Sequence, residues 1–189
     1  MIIIGITGTL GAGKGTIVEH VKDVYGFSHQ SVREFIAKEI EKRGLPVNRD
    51  TLTEVANDLR ATHHSAYIVE ELYQHAATLN QNAIIESVRT EGEIKTLKDK
   101  PNFYLFAVDA DVKLRYDRIK QRKSATDMIT FEKFQTDEAR EMNSSDPAKQ
   151  NLKYCIEHSD YVFSNNGTVE DLYEQVDIVM KKLLAQSSQ

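Results

Sequence analysis

The stretch Gly8-Thr9-Leu10-Gly11-Ala12-Gly13-Lys14-Gly15-Thr16 decides how this chain of 189 residues is read. It contains G-x-x-x-x-G-K and follows Ile2-Ile3-Ile4-Gly5-Ile6. That nearly continuous, β-branched run is the pattern of a strand buried on both faces. A helical pattern opens at Thr16 and continues to Val24. Strand, glycine loop, lysine and helix in this order make a phosphate-binding loop. Glycine lets the backbone wrap closely with unusual dihedrals. Successive N–H groups then point inward as an anion nest. The helix N-terminus adds the positive end of its dipole. Lys14 supplies a point charge able to follow a phosphoryl group in transfer.

Working outward, short apolar runs alternate with helical patterns. Ala83-Ile84-Ile85 and Phe103-Tyr104-Leu105-Phe106-Ala107-Val108 read as further buried strands, Tyr161-Val162-Phe163 as a shorter one. Gly26-Phe27-Ser28-His29 reads either as a strand or as a plain connector. Helices are expected over Arg33–Arg43, with Gly44 and Pro46 as the stop, over Thr51–Arg60 and over Tyr67–Leu79. Thr51 and Glu54 have the spacing of a capping box. In the last helix, Thr168 is the cap, and Val169, Leu172, Val176, Val179 and Leu183 share one face. Alternating strands and helices give an α/β fold with a parallel sheet. With no linker and no repeat, residues 1–189 are expected to form a single domain.

Three further stretches carry charge in a chemically suggestive pattern. Glu86-Ser87-Val88-Arg89-Thr90-Glu91-Gly92-Glu93 follows the third apolar run. A carboxylate there, beside a phosphate loop, is placed to hold Mg²⁺ or its water shell. Arg89 is placed to fork onto a second phosphate; the plainer alternative is a surface ion pair of Glu86 with Arg89. Ser31-Val32-Arg33-Glu34 reads as a helix cap with capping-box spacing, or as a phosphate contact through Arg33. Asn57, Asp58 and Arg60 either face solvent or read an acceptor base. Lys113 to Lys123 is the one strongly basic run, with Val112, Tyr116 and Ile119 on an apolar face and Arg115, Arg118 and Arg122 on the stripe beside it. It reads as a solvated face or as arginines that offset phosphoryl charge. Glu132, Glu138, Glu141 and Arg140 read as an ordinary exposed helix, with Arg140 also within reach of the phosphates from that side.

Composition narrows the partners. Lys plus Arg number 24 against 29 Asp plus Glu, a net charge of −5. That excludes a dedicated binder of nucleic-acid polymers or anionic membranes, which needs a basic surface. The single Cys155 forbids an intramolecular disulfide and points to a reducing compartment. With no leader pattern and no long apolar segment, a cytoplasmic protein is expected, as a monomer or homodimer. The six histidines show no metal-ligand spacing.

Gly13-Lys14-Gly15-Thr16 resembles the GKGT form of the loop in adenylate kinase and its relatives. The usual hydroxyl directly after Lys14 is absent, and Thr16 comes one residue later. Glu86 to Glu93 resembles the D-G-x-P-R-T element of adenylate kinases. It is closer still to the S-D-V-R-x-x-x-E element of viral-type deoxynucleoside monophosphate kinases, with Glu86 in place of Asp. Arg33 matches the arginine of their S-x-G-D-x-x-R element, whose Asp is absent here. The stretch Asp160–Val176, with its D-x-V-x-x-N-N-G run, resembles dephospho-coenzyme A kinase. The resemblance to P-loop nucleoside monophosphate kinases implies a three-layer P-loop NTPase fold, with a five-stranded parallel sheet and helices on both faces. It implies a helical substrate insert at about 31–80 and a short lid at about 122–130. It also implies ATP and Mg²⁺ as cofactors, with γ-phosphoryl transfer to a nucleoside monophosphate, a deoxynucleoside monophosphate first. Gly8 through Thr16 and Gly167 would contact ATP, with Thr16 on an α-phosphate. Lys14, Arg89, Arg118 and Arg122 would be catalytic. Arg33, Arg60, Glu86 and Arg89 would meet the acceptor, and Glu86 would hold the metal through water. Dephospho-coenzyme A kinase is the alternative, but the end of its second strand carries a base carboxylate where this chain reads His29-Gln30-Ser31. A second alternative is a nucleotide-binding regulatory domain with little turnover.

Overall fold

The structure is a computed structural model that describes residues 1–122 and 129–187. The side chains of residues 49 and 187 are outside that description. Five strands form one parallel sheet: β1 (Ile3–Gly8), β2 (Ser28–Ser31), β3 (Ala83–Glu86), β4 (Phe103–Asp109) and β5 (Tyr161–Ser164), in the order β2-β3-β1-β4-β5. The Gly26–His29 stretch is therefore a strand, shifted to start at Ser28.

β1 is central, and all six of its residues are buried. Its alternation divides the core. Ile2, Ile4 and Ile6 face one side, with α1 (Lys14–Tyr25) and α9 (Val169–Ser187). Ile3 faces the other, where α2 (Val32–Lys42), α3 (Arg49–Thr62), α4 (Tyr67–Leu79), α5 (Glu91–Lys98) and α8 (Leu152–Glu157) supply the packing. A strand covered on both sides has no use for polar alternation, which is why the apolar runs are continuous. α6 (Val112–Arg122) and α7 (Phe131–Met142) follow β4. Residues 123–128, most of the expected lid, lie outside the described residues.

Caps fix where the helices start. Ser31 accepts from the Glu34 N–H, so the capping reading holds for that residue. Thr168 and Asp171 cap α9 reciprocally, each N–H donating to the other's side chain. The Thr51–Glu54 box is a misreading. Asn48 is the cap of α3, and Thr51 is its third-position partner. Asn is as good a cap as Thr, and it lies one helical turn earlier. The short helices α5 and α8 are not evident from hydrophobic periodicity, because neither is long enough to show a period.

β1 and β3 are neighbours, but the chain leaves them toward opposite faces, through α1 and α5 respectively. That divergence opens a crevice at their carboxyl ends, where ligands bind in open α/β sheets. The 8–16 loop and Glu86 meet there.

Candidate functional site

The loop from Gly8 to Thr16 wraps the N-terminus of α1, which has no side-chain cap and no acidic residue in its first turn. Those free N–H groups are what an anion satisfies. Gly8 and Gly13 are two of the loop positions that require glycine. Gly8 has φ 142°, and an added Cβ would lie 2.2 Å from the Val108 carbonyl oxygen. Gly13 has φ 109°, with Asn165 Nδ2 in the space of its Cβ. Asn165 Nδ2 donates to the Ala12 carbonyl at 2.8 Å, joining the β5–α9 loop to the phosphate loop.

Lys14 Nζ donates to the carbonyls of Gly8 at 2.8 Å and Thr9 at 2.9 Å. Burial, reinforced by the Arg89 charge and, more weakly, Arg122, brings its pKa down to about 7. Glu86 and Glu141 offset part of that fall. Glu86 ends β3, and its Oε2 lies 3.0 Å from His29 Nε2 on β2. The hydrogen bond from His29 holds the Glu86 carboxyl below its ordinary range, although burial opposes this. The same bond raises His29. Ser87, the next residue, has φ 70°, an unusual value for a non-glycine and one that turns the chain toward Arg89.

These elements line one cleft of about 1010 Å³. At its phosphate-loop end stand Lys14, Gly15, Thr16, Arg118, Arg122 and Asn165. At the other end, Val32, Ile36, Leu52 and Ala56 form an apolar wall between α2 and α3, beside Arg33, Asn57 and Arg60, with Glu86 and Arg89 nearer Lys14. Of the expected site residues, Leu10, Gly11, Gly13, Lys14, Gly15, Thr16, Arg33, Arg60, Glu86, Arg89, Arg118 and Arg122 all line the cleft. Gly8, Thr9 and Ala12 support it from behind. Gly167 does not line it; its α-carbon packs against Asp171. Asn165, two residues earlier, does line it.

Several side chains have partners that the sequence reading did not supply. Arg60 donates to Glu93 Oε1 at 2.9 Å, with the two side chains 8% and 1% exposed. It is thus an anchored arginine and not a solvated one, and its Nε is buried without a hydrogen bond. Glu93 also closes a capping box with Thr90 and accepts the Arg89 N–H. Arg118 Nη2 donates to the Asn165 carbonyl at 2.9 Å. Arg89 Nη1 donates to Gln150 Oε1 at 3.2 Å and pairs with Glu141 at 3.4 Å. Glu141 therefore belongs to the cleft, and Glu138 also points inward, onto Arg115. The exposed-helix expectation fails for both and holds for Glu132 and Arg140, both exposed. Arg140 pairs with Asp137 and not with the cleft. Arg115 is buried, at 4% exposure, not on a solvated stripe.

Among the described residues no group of three or more His, Cys, Asp or Glu is placed to hold a metal ion. An ionised Glu86 beside the phosphate loop still suits Mg²⁺, which keeps several waters and takes one or two protein carboxylates with substrate phosphates. No helix among the described residues is long and apolar enough to cross a membrane.

Comparison with known proteins agrees with the fold. A UPF0200 protein of Methanocaldococcus jannaschii is 27% identical over 192 residues, covering 97% of this chain and 91% of that one. The crystal structure of TT1252 from Thermus thermophilus superposes with a TM-score of 0.65 at 20% identity, over 96% of this chain and 97% of that one. Dephospho-CoA kinase from Campylobacter jejuni matches with a TM-score of 0.54 at 13% identity, over 96% of both chains. The fold is that of P-loop kinases. A family model described as AAA domain matches residues 4–143, and the chain belongs to that family.

Proposed function

We propose that this chain transfers the γ-phosphoryl group of ATP to the phosphate of a nucleoside monophosphate, a deoxynucleoside monophosphate first. The observation that carries the reading is the two-ended cleft. A phosphate loop with Lys14 faces, across Glu86 and Arg89, a second end that pairs arginines with an apolar wall. An acceptor needs both, the arginines for its phosphate and the wall for its base. In the reaction an oxygen of the acceptor phosphate bonds to the γ-phosphorus. The bond to the β–γ bridging oxygen breaks, and ADP leaves.

In this reading Lys14 follows the γ-phosphoryl group, while Arg89, Arg118 and Arg122 offset charge as it spreads over the transferring oxygens. Arg33, exposed and with no partner among the described residues, holds the acceptor phosphate together with Arg89. Arg60 and Asn57 sit where the acceptor base would lie. When bound, Mg²⁺ neutralises charge on the β- and γ-oxygens. Glu86 would hold its water shell. The helices α2 to α4 serve as the acceptor insert.

The state of Glu86 favours a phosphate acceptor over a hydroxyl. A hydroxyl needs a base whose pKa lies near the operating pH. Glu86 is held in the opposite direction, by the hydrogen bond from His29 and by the charges of His29, Lys14 and Arg89. A phosphate is already anionic and needs only to be placed. A coupled ADP-release screen over ribo- and deoxynucleoside monophosphates and dephospho-coenzyme A tests the reading. It stands if a monophosphate drives release. It is replaced by the dephospho-coenzyme A reading if only that acceptor does, and by a regulatory role if ATP binds and no acceptor works.

A further inference from the structure

We propose that Arg115 is a positioning residue for the phosphate loop, holding the Leu10 carbonyl outward so that the amide of the same peptide unit, the Gly11 N–H, faces the nucleotide. The inference rests on the kinase reading above and concerns a residue outside the cleft lining. Arg115 Nη1 donates to the Leu10 carbonyl at 3.3 Å, and its Nε donates to the Ala110 carbonyl at 2.8 Å. Nη1 and Nη2 together fork onto Glu138, at 2.5 and 2.9 Å. The guanidinium also lies over the Phe134 ring, 5.6 Å from its centroid. Beside it, the Thr9 hydroxyl donates to Asp109 Oδ1 at 2.6 Å. A Cβ on Gly11 would lie 2.5 Å from the Arg115 carbonyl oxygen, so the loop backbone rests directly on α6.

Three successive crest residues, Thr9, Leu10 and Gly11, are thus fixed from outside the cleft. The geometry has an electrostatic consequence. A peptide unit turned outward at its oxygen presents its N–H inward, which an anion nest requires. An unheld crest is free to turn carbonyl oxygens toward the phosphates, where they repel. Arginine suits this post because its planar fork serves two directions at once; a lysine ammonium does not. Glu138 in turn keeps the buried guanidinium compensated.

The test uses the full chain carrying Arg115→Lys or Glu138→Gln, with Leu97→Ala, a core change on the other face of the sheet, as a stability control. ATP and inorganic tripolyphosphate are titrated calorimetrically, and thermal melting is recorded for each protein. Both loop-side variants are expected to bind both ligands at least about tenfold more weakly, with the acceptor KM unchanged. Leu97→Ala melts earlier with unchanged affinity per folded molecule. Should Arg115→Lys not fold, Glu138→Gln decides alone, since it keeps Arg115 and its packing. Wild-type affinity in the folded variants overturns the positioning role and leaves the kinase reading standing. A wild-type chain that binds neither ligand overturns both.

Discussion

Lys14 Nζ sits 2.8 Å from the carbonyl oxygen of Gly8, so the lysine closes the loop it belongs to. This ammonium is held among the charges of Arg89 and Arg122 and out of water, and that costs stability. Lys14→Met is expected to reduce turnover at least about 100-fold, the scale of losing a main charge stabiliser. It is also expected to melt no earlier than wild type. Steady-state kinetics beside scanning calorimetry checks both. Turnover within tenfold of wild type removes Lys14 from the chemistry.

The depressed lysine predicts a proton linkage. Without ligand the amine titrates at about 7. Bound phosphates favour its charged form and raise that value. Nucleotide binding at pH 8 should therefore take up a proton, and affinity should fall as pH rises above 7. Calorimetry at pH 8 in buffers of different ionisation enthalpy reads the uptake directly. The free protein has the matching signature. Between about 7 and 10.5 its native state holds fewer protons at Lys14 than the unfolded chain, so this group's contribution to stability rises with pH there.

The His29–Glu86 pair gives a bounded window. Glu86 is lowered, so its contribution is complete above the unfolded value of 4.5 and is lost as pH falls through its folded value. His29 is raised, so its contribution is complete below 6.5 and is lost as pH rises through its own folded value. His29→Ala should thus destabilise most between pH 4.5 and 6.5 and least at pH 9. A melting-temperature difference that stays flat from pH 5 to 9 would contradict the ion pair.

In the proposed reaction, variants of Arg33 and Arg89 would separate acceptor binding from donor binding. Arg33→Ala should raise the acceptor KM about tenfold or more, the worth of one charge-assisted contact, and leave ATP affinity alone. Arg89→Ala should lower kcat as well, because Arg89 lies between the two ends of the cleft and contributes to the field at Lys14. Equal acceptor kinetics in wild type and both variants would refute the assignment.

The parts of the fold legible in the sequence are those with local causes. β1 and its loop announce themselves through β-branched residues and glycine spacing. α9 shows its apolar face because it packs on only one side. β2 is barely legible, because Ser28-His29-Gln30-Ser31 gains its strand conformation from pairing with β3 and not from its own side chains. The site followed the same rule. Lys14, Glu86 and Arg89 belong to contiguous motifs and are readable. Asn165, Glu138 and Glu141 act through contacts more than 20 residues away in sequence, which no spacing records. Arg60 and Arg115 look like surface charge until tertiary structure supplies Glu93 and Glu138 to take them inside.

Helix α7 carries Glu138 and Glu141 one turn apart, about 4.5 Å along the axis. The first grips Arg115 behind the phosphate loop, and the second grips Arg89 inside the cleft. The helical repeat therefore works as a gauge block that sets the spacing between the phosphate loop and Arg89. A one-residue insertion between these glutamates would rotate one carboxylate by about 100° relative to the other. Tolerance to insertion in α7 should accordingly be poor even where its outer face accepts almost any polar residue.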